Sequence, residues 1–184
     1  GPYDLGCHYM EHKVQQAEAM KGAKKRILEV AAQFAALTGR EYGLFEAYRM
    51  EDAEIALVLI GSSAGTAKVT VDALRARGIP AGLVKIRVFR PFPAEELAQT
   101  LKNVKALAIL DKAESFSAQG GPLFAEVRAA LYDLEPRPRT VGYVYGLGGR
   151  DITPAHFASV FARLEAIAAG GELGPVYSHL GQRG

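Results

Sequence analysis

The sequence predicts an α/β fold: an open, mostly parallel sheet with flanking helices, preceded by a long N-terminal helix. Three observations predict it. Short aliphatic runs alternate with amphipathic stretches from Ile55 to Ile167, the pattern that right-handed strand–helix–strand crossovers produce. Ile55–Ile60 is aliphatic at every position, as in a strand covered on both faces of a parallel sheet. Glu11–Thr38 contains no proline and repeats apolar residues at helical spacing.

Within Glu11–Thr38, Met20, Ala23, Ile27, Val30, Ala31 and Phe34 share one stripe, so the stretch reads as a single amphipathic helix ended near Gly39. Its polar face carries Lys21, Lys24, Lys25 and Arg26 and reads as solvated, with an acidic partner as the alternative. Residues 42–52 read as a connection. After the Ile55–Ile60 strand, Gly61–Gly65 turns into a helix with Ala67, Val71 and Leu74 inward, stopped at Gly78, because glycine tolerates positive φ. Leu83–Val88 is the second strand, broken by Pro91-Phe92-Pro93, and the next helix starts near Ala94, where Glu95 and Glu96 suit the positive end of its dipole. Val104–Leu110 is the third strand. Pro122 opens a helix with Leu123, Val127, Ala130, Leu131 and Leu134 on its core stripe, which Pro136 and Pro138 end. Thr140–Tyr145 is the fourth strand, and Thr153-Pro154 starts a helix with Phe157, Val160, Phe161, Leu164 and Ile167 inward. Gly170–Gly184, rich in Gly and polar residues, reads as a tail that wraps on a neighbour or is loosely ordered. The expected division is a helix and connecting segment over 1–52, an α/β domain over 53–170 and a tail over 171–184.

With 184 residues, 49% of them hydrophobic and 23% charged, the chain has room for one well-buried domain plus an appended segment. The net charge of +2 is scattered rather than striped, so no nucleic-acid partner is expected. A single cysteine, Cys7, builds neither a disulfide nor a thiolate-ligated cluster within this chain and suits a reducing, cytoplasmic compartment. The longest apolar runs fall far short of the roughly 18 residues a bilayer requires, so no membrane association is expected. The chain opens on Gly1-Pro2 without an initiator Met or a signal-peptide pattern, and the start reads as a cut.

In open parallel sheets, ligands meet the loops at the carboxyl ends of strands, here Gly61–Thr66, Phe89–Pro93, Asp111–Gly121 and Gly146–Asp151. Ser62, Ser63 and Thr66 can meet an anion at a helix N-terminus, or Ser62 or Ser63 can simply cap that helix. Neither the dinucleotide nor the P-loop glycine pattern is present. Lys85, Arg87 and Arg90 can grip a carboxylate or phosphate, with Arg90 favoured at the strand end, or can form ion pairs. Asp111 and Glu114 lack a histidine nearby in sequence and read as structural, Asp111 as a cap for loop amides. Gly148, Gly149, Arg150 and Asp151 lie in a segment with three glycines in four residues, which points to close approach by another molecule, with Arg150 either clamped internally or reaching across an interface. His8 and His12 are spaced for a metal but lack a convincing third ligand, and His156 and His179 read as isolated surface or cap residues.

Five ordered segments together resemble one family: Tyr48-Arg49-Met50-Glu51-Asp52-Ala53-Glu54, Gly61–Thr66, Arg87–Pro93, Gly121–Val127 and Tyr145–Thr153. They are similar to the C-terminal, transketolase-C-like domain of the α subunit of pyruvate (2-oxoacid):ferredoxin oxidoreductases. Departures are small: Lys112 stands where arginine is common, and Ser117-Ala118-Gln119-Gly120 varies a loop. The resemblance implies an enzyme complex that interconverts a 2-oxoacid and coenzyme A with acyl-coenzyme A, CO2 and reduced ferredoxin. It implies thiamine diphosphate, Mg2+, [4Fe–4S] clusters and coenzyme A in that complex, with a β subunit sharing the thiamine, and γ and ferredoxin-like δ subunits and ferredoxin as further partners. This domain is implied to be largely a scaffold and interface element, carrying no catalytic residue and binding no cofactor alone. The family's Gly-Asp-Gly diphosphate motif and its cysteine array are missing from this sequence. The alternatives are a coenzyme A- or phosphate-binding module of the same complex and a stand-alone Rossmann-like nucleotide-binding protein.

Overall fold

The computed structural model describes residues 3, 6–116 and 119–183. The chain forms two compact units, Gly1–Leu44 with Val88–Pro93, and Phe45–Arg87 with Ala94–Gly184.

The first unit is built on helix α1, Tyr9–Thr38. Gly39 follows it in the left-handed region, φ 69°, and donates its N–H to Ala35 O at 2.8 Å, the termination that glycine allows. Pairs three residues apart, Glu18–Lys21 and Arg26–Glu29, both at 2.6 Å, solvate the polar face. The apolar stripe is a finding of a different kind, because no residue of α1 is buried: Met20, Val30 and Phe34 of the stripe are exposed and Ala23, Ile27 and Ala31 are half-buried. In the second segment of this unit, the Val88 N–H donates to Leu44 O at 2.9 Å.

The second unit is the α/β sheet. Its elements are β1 (Phe45–Tyr48), β2 (Ile55–Ile60), α2 (Ser63–Arg75), β3 (Ala81–Ile86), α3 (Ala94–Leu101), β4 (Ala106–Asp111), α4 (Pro122–Ala130), β5 (Arg139–Tyr145), α5 (Pro154–Ala168) and β6 (Tyr177–Leu180). The strand order is β1-β3-β2-β4-β5-β6, with β1 antiparallel and every other pairing parallel. Helices α2 and α5 pack together, and so do α3 and α4. Leu57, Leu59, Leu83, Leu110 and Tyr143 meet Ala67, Val71, Phe157, Phe161 and Leu164 in one buried cluster. The aliphatic strands β2 and β4 are buried along nearly their whole length, as a sheet covered on both faces requires. Among the described residues, no helix is long and apolar enough to cross a membrane.

Three sequence readings are corrected. The second strand lies at Ala81–Ile86 rather than Leu83–Val88. Gly82 hides its start, because the backbone approaches so closely there that a Cβ would stand 2.9 Å from Arg49 O. The connecting segment contains β1, which pairs Phe45 with Ile86 and Tyr48 with Leu83. The tail contains β6, and Arg163 from α5 fastens its approach by donating to Leu173 O at 2.8 Å and Pro175 O at 2.5 Å. The Gly142 N–H then donates to Val176 O at 2.7 Å, leading into the parallel pairing of β6 with β5.

Candidate functional site

The carboxyl ends of β2, β4 and β5 bring Gly61–Ser63, Asp111–Gly121 and Gly146–Asp151 to one edge of the sheet. β3 ends at Ile86, and Arg90 belongs to the other unit, where its guanidinium covers the Phe89 ring at 4.3 Å and donates to Phe89 O at 2.9 Å. Lys85 stands opposite Glu46 in the β1–β3 register, and Arg87 lies beside the same carboxylate. Arg87 pairs with Glu46 at 2.9 Å, and Lys68 pairs with the same carboxylate while lying 4.9 Å from the Tyr48 ring centre. The Lys68 hydrogen bond, with Lys68, Arg87 and Lys85 as cationic neighbours, holds Glu46 below the usual carboxylate range against the opposing effect of burial. These cations secure the edge strand β1.

At α2, Ser62 occupies the N-cap position in a helical conformation (φ −69°, ψ −27°) and makes no side-chain cap bond, so the expected cap is not formed. Ser63 is buried in the first turn and Thr66 is half-buried.

Asp111 performs the capping role expected of it, at α4. Its oxygens accept the Leu123 N–H at 2.9 Å and the Phe124 N–H at 3.0 Å. Burial pushes its pKa up, and these two amides pull against that rise. Gly121 is required by this arrangement, because a Cβ there would overlap the Asp111 carboxyl group.

Glu114 is structural as expected, with partners that sequence reading did not find. Its Oε2 accepts from His179 Nε2 at 2.7 Å, and its Oε1 accepts from the Tyr177 hydroxyl at 3.0 Å, 65 and 63 residues away. The His179 bond first, then the Tyr177 bond, holds Glu114 below the usual carboxylate range. Burial first, then Glu114, pushes the Tyr177 hydroxyl up to about 12. His179 is therefore not isolated, and its alternation with Tyr177 about Ser178 was visible only as a strand too short to notice. His156 is a cap residue as expected, its Nδ1 accepting the Thr153 N–H at 3.1 Å in a capping box.

The Gly146–Asp151 segment makes a tight turn with Gly146, Gly148 and Gly149 at φ 65°, 64° and 79°. Arg150 follows in extended conformation and donates to Gly181 O at 2.6 Å, so it clamps internally to the end of β6. Asp151 beside it is exposed. This turn and β6 enclose a cavity of about 280 Å3, lined by Gly146, Leu147, Arg150, His179, Leu180 and Gln182. Among the described residues, no group of three or more His, Cys, Asp or Glu can hold a metal, and this covers His8 and His12. Ser117 and Ala118 of the varied loop lie outside the described residues.

An open, mostly parallel sheet with one antiparallel edge strand defines an α/β class of fold. A split-gene transketolase, described as an inactive beta4 tetramer, superposes with a TM-score of 0.55 over 70% of this chain and 44% of its own, at 16% identity, a likeness of fold alone. Residues 53–157, more than half of the chain, match the family "Pyruvate:ferredoxin oxidoreductase core domain II", and the chain belongs to that family. The pyruvate synthase subunit PorA of Thermotoga maritima is 48% identical over 161 residues, covering 88% of this chain and 41% of the relative. The ketoisovalerate oxidoreductase subunit VorA of Pyrococcus horikoshii is 39% identical, covering 90% of this chain and 42% of the relative. The chain thus spans about two-fifths of the length of these relatives.

Proposed function

We propose that this chain is a scaffold and interface domain of a cytoplasmic, thiamine diphosphate-dependent 2-oxoacid:ferredoxin oxidoreductase with pyruvate as its 2-oxoacid. The whole complex interconverts 2-oxoacid and coenzyme A with acyl-coenzyme A, CO2 and reduced ferredoxin. Family membership and 48% identity to a pyruvate synthase subunit support the reading. The structural observation that carries the interface role is α1, a 30-residue helix with no buried residue, whose apolar stripe leaves Met20, Val30 and Phe34 exposed with Leu37 beside them. An exposed apolar face of this length is what a partner covers. Ser62 and Thr66, at the uncapped start of α2 with Ser63 buried behind them, form a second contact on the strand-end edge.

The residues of this chain do not fit the complex's [4Fe–4S] clusters, and the Gly-Asp-Gly diphosphate motif is missing from it. One cysteine cannot supply the four thiolates of a [4Fe–4S] cluster. Thiamine diphosphate with its Mg2+, the clusters and the remaining β, γ and ferredoxin-like δ functions are therefore assigned to other segments and subunits. The test is assembly. The 184-residue chain alone should neither bind thiamine diphosphate nor oxidise pyruvate with ferredoxin as acceptor. The complex assembled around it should do both, and Val30→Glu with Leu37→Glu should release the domain from the complex. Thiamine diphosphate binding with pyruvate turnover by the isolated chain overturns the proposal.

A further inference from the structure

The cavity between the turn after β5 and the end of β6 has a composition that the scaffold role does not use. Its floor is apolar, formed by Val144, Tyr145 and Leu180, and it opens at the carboxyl end of two parallel strands, where ligands of such sheets sit. Arg150 is fixed across it by a single bond from Nη1 to Gly181 O at 2.6 Å, which leaves most of a five-donor fork to other acceptors. His179 lines the cavity with its ring oriented by Glu114 at 2.7 Å. His156 accepts the Thr153 amide on Nδ1, so its neutral ring carries the proton on Nε2, the atom that a Cβ on Gly181 would approach to 3.4 Å. Lys112 reaches the same turn, its side chain lying where a Cβ on Gly146 would fall.

Two basic side chains, Arg150 and His179, thus line one concave surface, with Lys112 and His156 lying against Gly146 and Gly181 beside it. The acidic groups nearby are already engaged or outside it. Glu114 accepts from His179, Tyr177 and Ser115, Asp111 is buried under the α4 amides, and Asp151 is exposed beside Arg150. Gly148 and Gly149 place no Cβ over the turn, which leaves backbone and Arg150 open to approach.

We propose that this groove binds a small organic anion, a phosphate monoester or carboxylate carried on a flat apolar body. The guanidinium fork matches either anion bidentately, while a bare inorganic ion would leave the apolar floor unused. A volume of about 280 Å3 limits the ligand to roughly nine or ten non-hydrogen atoms, taking liquid water's share of about 30 Å3 per molecule as the scale. The inference concerns this chain by itself and stands apart from its assembly into an oxidoreductase.

The experiment is amide NMR titration of the 184-residue chain with inorganic phosphate, phenyl phosphate and phenylacetate. Saturable shifts confined to residues 144–150 and 179–182 are expected, with phenyl phosphate or phenylacetate binding about tenfold more tightly than inorganic phosphate. The tighter of the two organic probes assigns the anion. Arg150→Gln should weaken binding about tenfold, the equivalent of one lost charge-assisted contact. Because Arg150 also holds β6, Gln182→Trp provides a second variant, filling the groove without removing a charge, and it should abolish saturation while shifts elsewhere stay unchanged. Non-saturating shifts, shifts spread over the lysines of α1, or unaltered affinity in both variants overturn the proposal. None of these outcomes bears on the oxidoreductase reading, which is decided by assembly.

Discussion

Asp111→Ala is expected to destabilise the chain by about 2–4 kcal/mol. The carboxylate is 5% exposed and accepts two buried amides of the first turn of α4, from Leu123 at 2.9 Å and Phe124 at 3.0 Å. Each buried N–H left without an acceptor costs about 1–3 kcal/mol, and loss of a helix cap typically costs about 1 kcal/mol. Alanine also removes a buried charge, so the net falls below the sum of the two bonds. The same burial raises the Asp111 pKa, its largest cause, over the opposing pull of the two amides. A carboxyl group raised in the folded state contributes stability that is fully present below its ordinary value of 3.8 and is lost as pH rises through the raised value. Urea unfolding across the acid range should show that slope in the parent chain and lack it in Asp111→Asn. Hydrogen exchange at Leu123 and Phe124 should accelerate in Asp111→Ala. A loss below about 0.5 kcal/mol with unchanged protection of those two amides would refute the capping argument.

Gly146→Ala should cost about 1–2 kcal/mol in urea unfolding, because φ is 65° and the new Cβ meets the Lys112 side chain. Lys112→Ala in the same chain should recover the steric part and leave the backbone part. Glu114→Gln should remove an acid-range slope of opposite sign to that of Asp111. The Glu114 pKa is lowered, so its contribution is present above the ordinary 4.5 and is lost as pH falls through the lowered value. The same substitution should bring the Tyr177 hydroxyl, now at about 12, part of the way back toward its ordinary value, since burial remains; an ultraviolet titration of the tyrosines reads this. Glu46→Gln should cost about 1 kcal/mol, the scale of a partly exposed pair, and a double-mutant cycle with Arg87→Ala should give a coupling of a few tenths of a kcal/mol or more.

The sheet's centre was legible in the sequence because strands buried on both faces must be aliphatic throughout, as Ile55–Ile60 is, and because α1, α4 and α5 carry their apolar stripes at helical spacing. The end of α1 at Gly39 and the cap at Asp111 were legible for a similar reason: each depends on a residue type whose chemistry acts on its own neighbourhood. The edges were not. β1 and β6 are four residues each and owe their conformation to strands far along the chain, to Ile86 and Leu83 for β1 and to Gly142–Tyr145 for β6. Arg90 sits where the strand was expected to end, but the register set by Ala81 and Gly82 moved that end to Ile86.

What the sequence by itself determined is the α/β class, the family, and the absence of enough thiolates in this chain to hold a cluster, since all three depend on composition, local periodicity or ordered motifs. Tertiary structure alone decided that Glu114 meets His179, that Arg150 clamps to Gly181, and that both border one groove. Those contacts join residues 65 and 31 positions apart, set by where parallel pairing places β6 beside β5, and local sequence carries no trace of that pairing.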